Sequence, residues 1–183
     1  MDALVMCGGR GSRFGATLEK PLVEVGGVPM VDRVIAALRG SAVETVYAIT
    51  SPLAPETAKH VDAPRIETPG GGYVDDLRVA IDRVGDPVLT AAADLPLLAP
   101  EVIDVVLDQF HDRSLSVVVP AALKRHLGLD VETELTWCGR TVAATGVNIV
   151  VGSGPDDRFL THDVRIAVNV NRKSDVTLAE DLL

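Results

Sequence analysis

Apolar and polar positions along this chain alternate between two periods. Ala3–Cys7 is a short, continuously apolar run that ends in glycines, which predicts a buried strand. From Pro29 to Arg39, Val31, Val34, Ile35 and Leu38 recur on one helical face, and Gly40 closes the segment. Val43–Thr50 predicts a second strand, and a short one falls near Arg65–Glu67. Tyr73, Leu77, Ala80, Ile81 and Val84 mark the buried face of another helix. Pro87–Ala92 is the next strand and runs into Asp94. Pro100 opens a helix carrying Ile103, Val106, Leu107 and Phe110, and Leu115–Pro120 is again a strand. Thr133–Trp137 and Thr141–Ala144 flank the turn Cys138-Gly139-Arg140 and predict a hairpin. Gly146–Val151 and Arg165–Val168 complete the strands. Ser174 is placed to cap a last helix through Leu183, with Asp175 in its first turn.

The strand–helix units come first and the hairpin comes late. That order predicts an α/β fold: a three-layer αβα arrangement around a mostly parallel, Rossmann-like sheet with one antiparallel hairpin excursion. No repeat, low-complexity tract or linker divides residues 1–183, so a single domain is expected. Hydrophobic residues make up 47% and aromatics only 3%, so the core must be aliphatic. No apolar run approaches the roughly 20 residues of a membrane-spanning helix. The first apolar run follows Asp2 and is too short for a signal-peptide core, so a cytoplasmic location is expected.

Charge and cysteine usage narrow the function. A net charge of −9 argues against a surface built to coat nucleic acid. The acidity is dispersed and arginine greatly outnumbers lysine, which suits a high-salt cytoplasm and a halophilic source. Cys7 and Cys138 form no CxxC pair and read as reduced thiols. The histidines at 60, 111, 126 and 162 are scattered without metal or triad spacing.

The richest stretch is Gly8-Gly9-Arg10-Gly11-Ser12-Arg13-Phe14-Gly15, followed by Glu19-Lys20-Pro21. It starts where the first strand ends, the place where α/β sheets bind ligands. Four glycines in eight residues let backbone N–H groups turn inward on phosphate oxygens, and Arg13 and Lys20 add fixed positive charge. A P-loop would need Gly directly before Lys and a hydroxyl after it, and Glu19 and Pro21 stand there instead. The dinucleotide fingerprint would need glycine where Phe14 stands. Asp94 emerges from a hydrophobic strand in Ala91-Ala92-Ala93-Asp94, and a carboxylate so placed needs a partner such as Mg²⁺. Asn169 and Asn171 alternate, which puts both on one face of the late strand. Gly70-Gly71-Gly72 precedes the helix from Tyr73, whose N-terminus attracts anions.

The glycine loop with its Lys-Pro resembles the signature of the nucleotidyltransferase-type α/β superfamily, which folds as nucleotide-diphospho-sugar transferases do. The likeness extends further with the archaeal GTP:adenosylcobinamide-phosphate guanylyltransferases of CobY type. It rests on Met1-Asp2-Ala3-Leu4 into the loop, Thr68-Pro69-Gly70-Gly71-Gly72-Tyr73-Val74-Asp75-Asp76-Leu77, Gly146-Val147-Asn148-Ile149-Val150, and the tail from Asn169 to Leu183. It is weakest from Lys124 to Arg140.

The resemblance implies transfer of GMP from GTP to adenosylcobinamide phosphate in cobalamin biosynthesis, with Mg²⁺ or Mn²⁺. It assigns Lys20, Arg13 and Asp94 to catalysis. Asp94 would bind the metal with Asn171, which its spacing to Asp175 favours, or with Asn169. The nucleotide would lie on Gly8, Gly9, Arg10, Gly11, Ser12 and Arg13. The base would be read by backbone near Leu4, Met6 and Gly8 and by side chains around Thr50, Ser51 and Thr68. Gly70, Gly71 and Gly72 would serve the nucleotide or the acceptor phosphate. Tyr73, Asp76, Gly146, Val147 and Asn148 would line the acceptor side. Three alternatives stay open: a molybdenum-cofactor guanylyltransferase, a sugar-phosphate nucleotidyltransferase, and a nucleotide-binding module without chemistry. The sequence is silent on oligomeric state and admits a homodimer.

Overall fold

The structure is a computed structural model that describes residues 1–9, 18–131, 133–152 and 156–183. In chain order, β1 is Asp2–Met6, β2 Glu24–Val25, β3 Val28–Pro29, α1 Met30–Arg39, β4 Val46–Thr50, α2 Pro55–His60, β5 Arg65–Glu67, α3 Tyr73–Val84 and β6 Val88–Ala92. Next along the chain are α4 Pro100–Asp108, β7 Leu115–Pro120, α5 Ala121–His126, β8 Glu134–Trp137, β9 Arg140–Val150, β10 Asp157–Leu160, α6 Val164–Ala167 and α7 Lys173–Asp181.

The main sheet runs β10-β7-β9-β6-β1-β4-β5. Strands β5, β4, β1 and β6 are mutually parallel. β9 enters antiparallel between β6 and β7, and β8 adds to its outer half. The expected mostly parallel sheet with an antiparallel excursion is therefore present.

Central strands read as continuous apolar runs because both of their faces are covered. β1 shows this: Ala3 and Val5 join the core beneath α1 and α4, and Leu4 joins the core beneath α3. Val31, Val34, Ile35 and Leu38 of α1 are all buried, as the helical spacing required. A third apolar cluster ties Val25 and Met30 near the β2–β3 hairpin to Val168, Val170 and Ala179 near the chain's end. It is the clamp that brings the tail back to the sheet.

Four local expectations are corrected. Arg165–Val168 is not a strand: Asp163 accepts from the Arg165 N–H, and this cap starts the short helix α6. The strands expected at Thr141–Ala144 and Gly146–Val151 are one strand, β9, carried through Gly146 at φ +89°. The helix expected from Ser174 begins at Lys173, and Asp175 rather than Ser174 accepts the N–H groups of Asn171 and Arg172. The strand expected from Val43 begins at Val46. Strands β2, β3 and β10 and helices α2 and α5 were not anticipated. All are six residues or fewer, too short for a clear period.

Candidate active site

A cavity of about 520 Å³ opens at the carboxyl ends of β1 and β6. This is the edge at which open α/β sheets bind ligands. Met6, Cys7 and Gly9 approach it from β1, Ala92–Asp94 from β6, and Ala143, Ala144 and Gly146 from β9. Lys20, Lys124, Asn169 and Asn171, with Asp130 and Thr133, add polar groups to its wall.

Asp94 is the hub. Lys20 Nζ donates to Asp94 Oδ2 at 2.5 Å and to Asn171 Oδ1 at 2.5 Å. Asn169 Nδ2 donates to the other oxygen, Asp94 Oδ1, at 3.2 Å and to the Thr145 carbonyl at 2.9 Å. Lys124 Nζ donates to Asn169 Oδ1 at 2.6 Å. One carboxylate thus leads to two ammonium groups, directly through Oδ2 and by way of an amide through Oδ1. The Lys20 and Asp94 side chains keep 20% and 18% exposure, so substrate can reach the pair. Lys124 is buried at 6% exposure; burial lowers its pKa, and the nearby Asp94 charge opposes that shift.

The backbone explains why these groups meet. The Val170 N–H donates to the Asp94 carbonyl at 3.0 Å, which pins the tail beside the end of β6. The buried Asp175 carboxylate accepts from the Asn171 and Arg172 N–H groups at 2.8 and 2.9 Å, which fixes Asn171 over the cavity. Lys20 opens a 3₁₀ turn, Lys20–Leu22, held in place from the preceding residue. Glu19 accepts from the N–H groups of Glu56 and Thr57 at the start of α2, at 3.0 and 2.7 Å. Partial burial pushes its carboxyl up, and the bonds from Thr57 and Glu56 outweigh that and hold it below the ordinary value of 4.5.

Most of the residues expected to bind ligand fall into four groups. Met6, Gly9, Lys20, Asp94, Gly146, Asn169 and Asn171 converge on the cavity. Arg10, Gly11, Ser12 and Arg13 lie outside the described residues. Gly8, Thr50, Ser51 and Thr68 form a bracing cluster. Ser51 Oγ donates to the Gly8 carbonyl at 2.6 Å, and Thr68 donates to the Thr50 carbonyl through both N–H and Oγ1. A Cβ on Gly8 would stand 3.1 Å from Ser51 Cβ, so glycine is what lets the loop start this close to β4. Tyr73 and Asn148 share a polar contact on the α3 side of the sheet. Tyr73 Oη lies 3.3 Å from Thr90 Oγ1, whose other contact is the Asn148 carbonyl at 3.4 Å.

Three more expected ligand residues are buried and stand apart from the cavity lining. Leu4 is fully buried, and its backbone stands in register with β4 and β6 on either side. Val147 is fully buried in the core under α1 and α4. Asp76 is buried, and its carboxylate accepts from the Gly70 N–H at 3.0 Å. It shapes the Gly70–Gly72 loop.

Sequence reasoning missed Lys124 and Glu19. Lys124 stood in the stretch without a motif. Its one signal is a cation that follows Ala121, Ala122 and Leu123 just past a buried strand, and the adjacent Arg125 and His126 blur it. Glu19 gave no local signal, because its partners are 37 and 38 residues away.

The donors suit a hard divalent cation. Asp94 Oδ2 and Asn171 Oδ1 converge on one cationic centre, the Lys20 ammonium, so two oxygens already point at a shared positive charge. Asn169 Oδ1 is engaged by Lys124. Among the described residues no cluster of three or more His, Cys, Asp or Glu side chains is placed to hold a metal. A metal here would therefore keep open positions for water and phosphate oxygens.

A mostly parallel sheet that gathers cations around one carboxylate at its carboxyl ends is the architecture of the nucleotidyltransferase class. A nucleotidyl transferase from Methanothermobacter shares the fold, with a TM-score of 0.67 over 99% of this chain and 96% of that one, at 18% identity. Residues 3–147 match the MobA-like NTP transferase domain, and the chain belongs to that family of nucleotidyltransferases. The adenosylcobinamide-phosphate guanylyltransferase of Methanocaldococcus jannaschii is 29% identical over a 203-residue alignment that spans 100% of this chain and 97% of the relative. A molybdenum cofactor guanylyltransferase of Thermococcus sibiricus is 31% identical over 127 residues, covering 66% of this chain and 61% of the relative. No described helix is long and apolar enough to cross a membrane.

Proposed function

We propose that this chain, acting as one domain over residues 1–183, transfers GMP from GTP to adenosylcobinamide phosphate in cobalamin assembly. Likeness to the M. jannaschii enzyme over the whole chain, the acceptor half included, supports this choice of substrates. The observation that carries the chemistry is Lys20 Nζ bridging Asp94 and Asn171 in the cavity.

The acceptor's phosphate oxygen is already ionised at neutral pH, so the reaction needs no general base. That oxygen attacks the α-phosphorus of GTP, a new P–O bond forms, and the bond to the bridging oxygen breaks to release pyrophosphate. The obstacle is an anion approaching a polyanion, so catalysis is positioning and charge stabilisation. In this reading the backbone N–H groups of Gly8–Gly11 hold the triphosphate, with Arg13 near its β and γ groups. Lys20 meets the α-phosphate, where charge builds.

Asp94 and Asn171 would hold Mg²⁺ or Mn²⁺, and Asn169 would orient Asp94. A bound divalent ion supplies neutralisation of phosphate oxygens. The glycine loop of Gly70–Gly72, with Tyr73 and Asn148, serves the acceptor side, and the Gly8–Ser51 brace positions the base. A high-salt archaeal cytoplasm remains the setting that the composition favours.

The test is pyrophosphate release from each of the four NTPs, with and without cobinamide phosphate. Release from GTP that depends on the acceptor is expected. GTP binding with no release for any acceptor would leave only a binding module. The same assay with molybdopterin examines the second reading, which the T. sibiricus relative supports over two-thirds of the chain.

A further inference from the structure

One charge in the cavity has no carboxylate in direct contact with it among the described residues. Lys20 pairs with Asp94, and Asp130 at the rim pairs with Arg172. Lys124 is buried at 6% exposure, yet its described partner is the neutral Asn169 amide and no described carboxylate forms an ion pair with it. Burying an ammonium without a counter-charge is costly. An ammonium has three N–H donors, and Asn169 accounts for one. The remaining donors belong to a residue that lines the cavity.

We propose that Lys124 is the phosphate ligand on the acceptor side of the site, taking the phosphomonoester that attacks the nucleotide while Lys20 serves the nucleotide itself. This rests on the transfer reaction proposed above. In-line displacement places the attacking and leaving oxygens on opposite sides of the α-phosphorus, so each side needs its own cation. Asp94 separates two such cations: Oδ2 leads to Lys20, and Oδ1 leads through Asn169 to Lys124. Lys20 comes after the β1 loop, and Lys124 rises from α5, beside the β7–β9 pair. A phosphomonoester dianion supplies the counter-charge that Lys124 lacks and forms charge-assisted hydrogen bonds with its remaining donors.

The experiment uses inorganic phosphate as the probe, titrated by ³¹P NMR into full-length protein saturated with Mg²⁺ and a non-hydrolysable GTP analogue. Wild type and Lys124→Arg should bind phosphate. Lys124→Met should weaken it about tenfold to a hundredfold, the range for a lost charged hydrogen bond, with GTP-analogue affinity unchanged. In turnover, Lys124→Met should raise KM for the acceptor by the same factor and leave KM for GTP alone.

The proposal is overturned if wild type binds no phosphate, if Lys124→Met binds it as wild type does, or if GTP affinity falls in step. Should Lys124→Met not fold, ε-¹³C-lysine spectra of wild type decide: the Lys124 signal must move when phosphate is added. Phosphate binding through Lys124 without transfer to cobinamide phosphate would overturn the choice of acceptor and leave the lysine's role standing.

Discussion

The two sides of the cavity are built differently. The side proposed for the nucleotide comes from the end of β1 and the segment just after it: Met6, Gly9 and Lys20 lie within 15 residues of chain. The part of the cavity wall proposed for the acceptor draws on three distant segments: Lys124 on α5, Gly146 on β9, and Asn169 after α6. On the first side, chain order sets the geometry and leaves a spaced motif. On the second, tertiary contacts set it: Lys124 and Asn169 are 45 residues apart, and Asn169 and Asp94 are 75 apart. Function built from backbone shows as a pattern, whereas function built from packing shows only when the chain is folded.

Substitutions can strain this contrast. Asp94 serves both sides, so Asp94→Asn should have the largest effect. It should lower kcat/KM by on the order of 10³, near the top of the range for one electrostatic group, with an unchanged circular dichroism spectrum. Wild-type turnover would mean that the two sides share no hub. Lys20→Ala belongs to the nucleotide side alone and should lower turnover by on the order of 10²–10³, with acceptor affinity retained.

Leu4→Ala separates core from site: urea unfolding should show a loss of about 2–5 kcal/mol, while kcat per folded molecule stays normal. A selective loss of GTP binding would restore Leu4 to the nucleotide site. Glu19→Gln should loosen the turn bearing Lys20, raise KM for GTP more than it lowers kcat, and cost about 1 kcal/mol at the α2 N-terminus. The Glu19 carboxyl is held below 4.5, so the stability it adds is present above that value and is lost as pH falls below it. The Gln variant should lack that acid-side loss.

Cys7 should give the smallest effect. Burial pushes its thiol from 9.0 up to about 12, so the folded protein keeps a proton that the unfolded chain gives up. Stability from the neutral thiol is full below pH 9 and falls as pH rises from 9 toward 12. Cys7→Ala should show a shallower alkaline decline in thermal unfolding. An identical slope would show that the thiol is not sequestered.

The sheet was legible because aliphatic runs buried on both faces leave a plain signal, as at Ala3–Cys7 and Pro87–Ala92. Lys20 and Asp94 were legible because each comes after the end of such a run or its glycine loop. Lys124 was not, since it stands beside Arg125 and His126 on a six-residue helix too short to show which basic residue turns inward. Arg165–Val168 misled because its apolar residues admit strand and helix alike, and a cap two residues upstream decided the matter. Asp76 and Val147 sat in recognised segments, but only the folded chain shows that one braces a loop and the other fills the core.

The length of β9 has a practical consequence. One half of this strand is locked between β6 and β7, and the other half runs between β7 and the outer strand β8. New lengths or side chains can thus be written into the tip at Cys138-Gly139 and its flanks while the central ladder stays in register. A designer wishing to reshape the cavity would begin at that hairpin, since Thr133, Ala143 and Ala144 line the wall.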